Sequence, residues 1–210
     1  MVGQVIALIQ KKGGAAKTTT CINLLGALRE SGIDSVLCDM DKDKPDALYW
    51  ADKGEELINY VIPLFDENPK PKIFELRQKH KVILIDTPPN FEAAALKAAM
   101  LCDLAIIPCA PVETEKKALQ DAAACALMAD KPYFFLASRV FKNTGLAKRF
   151  AAELDKTGTS FKTHITNSVA MAECQEKGKW VGSYAPDHQN HLQYLELAKE
   201  VMQILEAQNG

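Results

Sequence analysis

The chain has 210 residues, 48% of them hydrophobic and 25% charged, with 25 Lys+Arg against 27 Asp+Glu and a formal net charge of −2. This balance excludes disordered, collagen-like and coiled-coil chains, and a protein that coats nucleic acid by bulk charge, but it leaves a local basic face open. The length suits one α/β domain over residues 1–210, which would bury roughly 70% of its unfolded surface without needing staples.

Short apolar runs alternate with helical patterns along the whole chain. Val5–Ile9 is a predicted strand and Lys17–Glu30 a predicted helix, ended by Ser31-Gly32. Ser35–Cys38 is a second strand. Val61–Phe65 is a further strand candidate, and Asp66–Lys72, with two prolines and mixed charges, reads as a surface loop. Val82–Ile85 follows the charged Lys79-His80-Lys81, and Leu104–Ile107 and Tyr133–Ala137 each follow an alanine- and leucine-rich stretch. Thr163–Ile165 is another strand candidate. Leu192–Leu205 is an amphipathic helix that packs on the domain through Leu195, Ala198, Val201, Met202 and Leu205, with Glu196, Lys199, Glu200 and Glu206 on its other face. Continuous apolar runs suit strands buried on both faces of a parallel sheet. Their alternation with helices implies right-handed β-α-β crossovers. The expected fold class is α/β, a doubly wound, mostly parallel sheet with helices on both faces.

Six cysteines, at 21, 38, 102, 109, 125 and 174, form no C-x-x-C pair and several sit in apolar runs. They read as small core residues in a reducing compartment. His188-x-x-His191 has no acidic partner nearby in sequence and reads as surface, and Trp50 and Trp180 read as packing anchors. The start, Met1–Ile9, lacks a basic region ahead of its apolar run, and no run approaches the ~18 apolar residues that span a bilayer. A cytoplasmic protein with no membrane partner is expected.

The segment Gln10-Lys11-Lys12-Gly13-Gly14-Ala15-Ala16-Lys17-Thr18-Thr19-Thr20 follows a strand and opens a helix, the context a phosphate-binding loop requires. Glycines let several backbone N–H groups curl toward a polyphosphate, and the helix adds its N-terminal amides and dipole. Lys17 would reach the β- and γ-phosphates, and the Thr18 hydroxyl would complete the shell of a Mg²⁺ ion. The pattern G-x-x-x-x-G-K-[ST] does not fit, because Lys11 and Ala16 stand at its glycine positions. Val82-Ile83-Leu84-Ile85-Asp86 would set a carboxylate beside that ion. Ser35-Val36-Leu37-Cys38-Asp39-Met40-Asp41 would bring further carboxylates to the same sheet edge, where open α/β folds bind ligands.

Lys12-Gly13-Gly14-Ala15-Ala16-Lys17-Thr18 resembles the deviant Walker A motif, K-G-G-x-x-K-[ST], of the ParA/MinD ATPases. Cys38-Asp39-Met40-Asp41 is similar to that family's D-x-D segment, and Ile85-Asp86-Thr87-Pro88-Pro89 to its Walker B segment. The resemblance runs through nearly the whole chain and is nearest to short ParA proteins. It implies ATP and Mg²⁺ as cofactors and an ATP-sandwich homodimer. Lys12 would reach across to the partner's ATP, and Gly13, Gly14, Ala15, Ala16 and Lys17 would cradle the phosphates. Thr18 would ligate Mg²⁺ and Thr19 would lie near the α-phosphate. Asp39 would position the attacking water, Asp86 would hold the Mg²⁺ shell through water, and Arg139 would lie near the adenine. Four departures stand out: Ala16 replaces a common glycine, Lys42-Asp43 replaces Pro-Gln after D-x-D, Ser138 replaces the Asn of an Asn-Arg pair, and Ser168 stands near where many members of that family carry Arg.

By this resemblance the expected function is a slow, Mg-dependent ATPase whose ATP-bound dimer binds nonspecific DNA on the nucleoid and positions a cargo. The cargo would be a plasmid, a chromosome region or a protein assembly, released when a separately encoded partner stimulates hydrolysis. Lys142, Lys148, Arg149, Lys177 and Lys179 are the candidate DNA contacts, with Lys156 and Lys162 nearby in sequence. The alternatives are a membrane-surface ATPase like MinD, which wants a basic C-terminal helix, and a metal-cluster or electron-transfer ATPase, for which Cys102 and Cys109 would be the ligands.

Overall fold

The computed structural model describes residues 2–89, 92–111, 116–141 and 144–208. Six parallel strands form one sheet: β1 Gln4–Leu8, β2 Ser35–Asp39, β3 Val61–Pro63, β4 Val82–Asp86, β5 Leu104–Cys109 and β6 Tyr133–Ala137. Their spatial order is β3-β2-β4-β1-β5-β6. The order reverses direction at β1, and a crevice opens beyond the carboxyl ends at such a point. Helices α1 Lys17–Glu30, α2 Asp46–Asp52, α3 Lys70–Lys79, α4 Glu92–Leu101, α5 Lys116–Met128, α6 Gly145–Asp155, α7 Ala170–Glu176, α8 Val181–Tyr184 and α9 Gln189–Gln208 complete the described chain.

The period-2 alternation of the strands divides the core into two layers. Ile6, Leu8, Leu37, Leu84, Leu104, Ile106 and Leu136 face α1, α2 and α9. Val5, Ala7, Val36, Cys38, Ile83, Ile85, Ala105 and Ile107 face α3, α4, α5 and α6. Helix α1 stops where the sequence predicts, because Gly32 takes φ 74° and the Ile33 amide turns back to the Leu28 carbonyl at 2.9 Å. Trp50 and Trp180 are buried anchors, and the Trp180 ring lies so close to α1 that a Cβ on Gly26 would come within 2.2 Å of it.

Three strands run further than their apolar runs, so Asp39 and Asp86 are terminal strand residues and sit opposite each other in register. Strand β3 is shorter than predicted, and α3 starts at Lys70, inside the expected loop, with proline accommodated in its first turn. Among the described residues, 163–165 is not a strand: Ile165 donates to the Ala137 carbonyl at 2.8 Å, but the amides of Lys162 and Thr163 are taken by the Glu200 carboxylate at 2.7 Å each. A side chain from α9 replaces the backbone ladder there. Helix α9 packs as expected and also buries Asn190, Tyr194 and Leu197. His191 is buried rather than on the surface; its ring bonds Glu30 at 2.8 Å and the Pro186 carbonyl at 2.6 Å and stands edge-on to Trp180. All six cysteines are buried, and no group of three or more described His, Cys, Asp or Glu residues could hold a metal ion by itself. No described helix is long and apolar enough to cross a membrane.

Candidate functional site

The loop between β1 and α1 rises from the centre of the sheet. Gly14 takes φ 74° and Ala16 takes φ 66°, ψ 25°, so the backbone curls twice through the left-handed region before α1 begins. An L-residue there costs roughly 1–2 kcal/mol, and Ala16 holds that conformation without the freedom of a glycine. No side chain caps α1 and its first turn holds no acid, which leaves its leading amides and dipole for an anion. Thr20 closes the first turn through its amide bond to Ala16 at 2.9 Å.

Lys17 is buried at the start of α1, and burial lowers its pKa while the Asp86 charge opposes the shift. The Thr18 hydroxyl donates to Asp86 Oδ2 at 2.6 Å. The other oxygen, Asp86 Oδ1, is buried with no hydrogen-bond partner. Burial pushes the Asp86 carboxyl up to about 7; the charges of Asp39 and Asp41 add to the rise, and Thr18 and Lys17 work against it. An orphaned carboxylate oxygen beside a hydroxyl is an oxygen-donor pair suited to a hard divalent cation. The residues present therefore fit Mg²⁺. Thr87 ties this strand end to β1 by donating to the Leu8 carbonyl at 2.7 Å.

A cleft of about 470 Å³ runs along the carboxyl edge, within the range of small-ligand sites. Gly13, Gly14, Ala15, Ala16, Lys17, Thr18, Thr19, Asp86 and Arg139 all line it. Arg139, itself at φ 55°, donates from Nη1 to the Gly14 carbonyl at 2.9 Å and pins the loop from the β6 end. The buried Ser138 hydroxyl turns back to the Leu136 carbonyl of its own strand at 3.3 Å. Lys12 is half-buried, with its amide on the Gln10 side-chain oxygen at 3.5 Å, and does not line the cleft of its own chain.

Asp39 is the main departure from expectation. It is fully buried and does not line the cleft. Oδ1 accepts from the Asp41 amide at 2.9 Å, and Oδ2 from the Ala47 and Leu48 amides at 3.0 and 3.2 Å. Its carboxylate hangs the first turn of α2 on the end of β2 instead of facing a substrate. Burial raises its pKa to about 6, partly offset by those same amides. Asp41, two residues on, lines the cleft together with Lys44 and Asp46.

The sequence reading also missed the wall at the β6 end, formed by Ile165, Thr166, Asn167, Ser168, Met171 and Tyr194. Its polar members are held from α9: Asn190 donates to the Thr166 carbonyl at 2.9 Å, and Ser168 donates to Asn190 Oδ1 at 2.7 Å. The signal was present as polar Asn190 and Gln193 interrupting the apolar face of an amphipathic helix. Of the candidate DNA contacts, Lys142 lies outside the described residues. Lys148 and Arg149 are exposed on α6, whereas Lys177 and Lys179 are exposed on either side of the α7–α8 turn.

A glycine-bearing loop between a central parallel strand and a helix, a buried lysine followed by a half-buried threonine and a strand-end aspartate define a P-loop nucleotide-binding protein. The profile of the CobQ/CobB/MinD/ParA nucleotide binding domain matches residues 6–203, and the chain belongs to that family of P-loop ATPases. Soj, a chromosome-partitioning ATPase of Thermus thermophilus, is 26% identical over 94% of each chain. Maintenance of carboxysome distribution protein A of Gloeobacter kilaueensis is 30% identical, but over 51% of this chain and 50% of its own length. Among solved structures, MinD of Pyrococcus horikoshii with Mg-ADP superposes with a TM-score of 0.79 at 20% identity, covering 97% of both chains. ATP and Mg²⁺ fit the site as they fit the family.

Proposed function

We propose that this chain is a ParA-type positioning ATPase. In this reading its ATP-bound homodimer binds nonspecific DNA, and a separately encoded partner stimulates hydrolysis and so releases a cargo. The observation that carries the proposal is the pairing of Thr18 with an otherwise unsatisfied Asp86 beneath an uncapped helix, in a cleft the size of a nucleotide. Thr18 and Asp86 would hold Mg²⁺, which when bound neutralises charge on the β- and γ-phosphate oxygens. Lys17 and the α1 amides hold the phosphates. Asp41 orients the attacking water, the role expected of Asp39, because its carboxylate reaches the cleft and the Asp39 carboxylate does not. Lys12 stands outside its own cleft and serves the partner's nucleotide, which couples hydrolysis to dimerisation. Dispersed basic residues on a dimer favour salt-dependent, sequence-independent DNA contact over base reading.

The test is binding to nonspecific duplex DNA with ATP, with ADP and without nucleotide, at low and moderate salt, for the wild type and Asp41→Ala. ATP-dependent, salt-sensitive binding that persists longer in Asp41→Ala supports the reading. Dimerisation with ATP but no DNA binding by either protein removes the nucleoid from it.

A further inference from the structure

We propose that Lys44 binds the terminal phosphate of the nucleotide held in its own chain and sets the preference for triphosphate over diphosphate. The proposal rests on the nucleotide reading above. The strand order fixes what each end of the cleft meets. On one side lie the ends of β4 and β2, carrying Asp86 and then Asp41, Lys44 and Asp46. On the other lie Ser138 and Arg139 after β6, then the wall from Ile165 to Met171. The phosphate loop sits between them, and the cation donors Thr18 and Asp86 lie toward β4. Thr18 and Asp86 would hold the cation on the β4 side, which would place the phosphate tail toward β4 and β2 and the base on the β6 side.

At the tail end the lining is acidic: Asp41, Asp46 and Asp86. Beyond the cation that Thr18 and Asp86 would hold, the Asp41 and Asp46 carboxylates would disfavour a third phosphate unless a further positive side chain offset them. Three described cationic side chains line the cleft, Lys17, Lys44 and Arg139, and Lys44 is the one carried beyond the β2 end. Its Nζ is 3.2 Å from Asp46 Oδ2, with the two side chains 73% and 40% exposed. Such an open pair contributes about 0–1 kcal/mol, so it yields readily to a phosphate. The backbone around Lys44 is already ordered. Its amide donates to Asp41 Oδ1 at 3.0 Å, its carbonyl accepts from the Asp46 amide at 2.7 Å, and the turn beyond hangs on Asp39. Only the side chain must be ordered when a phosphate arrives.

The experiment is titration calorimetry of Mg·ADP and of the non-hydrolysable triphosphate Mg·AMP-PNP into wild type, Lys44→Ala and Lys44→Arg. Lys44→Ala is expected to weaken AMP-PNP by about tenfold, the loss of one charge-assisted hydrogen bond, and to leave ADP within about twofold. Lys44→Arg is expected to retain most of the discrimination. Equal weakening of both nucleotides by Lys44→Ala would mean a loop defect, and no weakening of either would mean no contact; each result overturns the proposal. A wild type that binds neither nucleotide would instead overturn the nucleotide reading on which it rests.

Discussion

Asp86→Asn is expected to stabilise the nucleotide-free, metal-free protein, and to do so only where the carboxyl would be ionised. The wild-type carboxyl is 3% exposed, has one oxygen without a partner, and is raised from 3.8 to about 7. The native state therefore keeps a proton that the unfolded chain releases. The penalty is absent below about pH 4, grows as pH rises and is complete above about pH 7. At about 1.36 kcal/mol per pH unit the full penalty is on the order of 4 kcal/mol. About half of it, ~2 kcal/mol, accrues between pH 5.5 and pH 8. The asparagine keeps an acceptor for Thr18 but buries an amide N–H₂ in place of the orphan oxygen, at a cost of about 1–3 kcal/mol that does not vary with pH. Thermal melts of both proteins at pH 5.5 and pH 8, in chelator and without nucleotide, read the difference. The advantage of the variant should grow by about 2 kcal/mol toward pH 8, or about 4–8 °C in Tm for a chain of this size. Mg·ADP should then stabilise the wild type and not the variant. A difference that does not vary with pH, or that shrinks toward pH 8, would refute the view that Asp86 is an unsatisfied buried carboxylate awaiting a cation.

The two aspartates of the D-x-D segment should separate by stability. Asp39→Ala strands three amides and should lower Tm by about 4–10 °C, from about 2–3 kcal/mol lost. Asp41→Ala should leave Tm nearly unchanged while stopping hydrolysis, read by phosphate release beside the melts; the reverse pattern would return the water-orienting role to Asp39. Ala16→Gly relieves a left-handed alanine at φ 66° and should raise denaturant stability by about 1 kcal/mol without loss of nucleotide affinity. Gly26→Ala drives a methyl into the Trp180 ring and should cost about 1–3 kcal/mol, visible as a lower urea midpoint.

Much of this was legible in the chain because it is local. Unbroken apolar runs such as Val82–Ile85 mark strands buried on both sides, and Gly13-Gly14 ahead of Lys17-Thr18 marks a turn that exposes amides to an anion. Helix α1 begins and ends where its own punctuation says, at Lys17 and Glu30. A loop whose chemistry lies in consecutive backbone groups needs no distant residue to define it. The family profile, which spans residues 6–203, agrees with that reading.

The assignment of Asp39 and Asp41 was not local. Both carboxylates follow the same strand, and only the return of the chain through Ala47 and Leu48 shows which is consumed by backbone amides. His191 likewise reads as a surface residue until Glu30, at the far end of α1, is brought to it at 2.8 Å. The wall from Ile165 to Ser168 carries no signature in its own residues; the signal lies in Asn190 and Gln193 on α9, which with Glu200 impose its shape. Local pattern carries the repertoire: a parallel α/β sheet and a phosphate loop with lysine, threonine and carboxylates close at hand. Which of those groups remain unsatisfied, and so can meet a ligand, depends on the packing of distant segments. Hydrogen-bond satisfaction is a property of the whole fold, and a carboxylate that one distant turn has claimed is no longer available for chemistry.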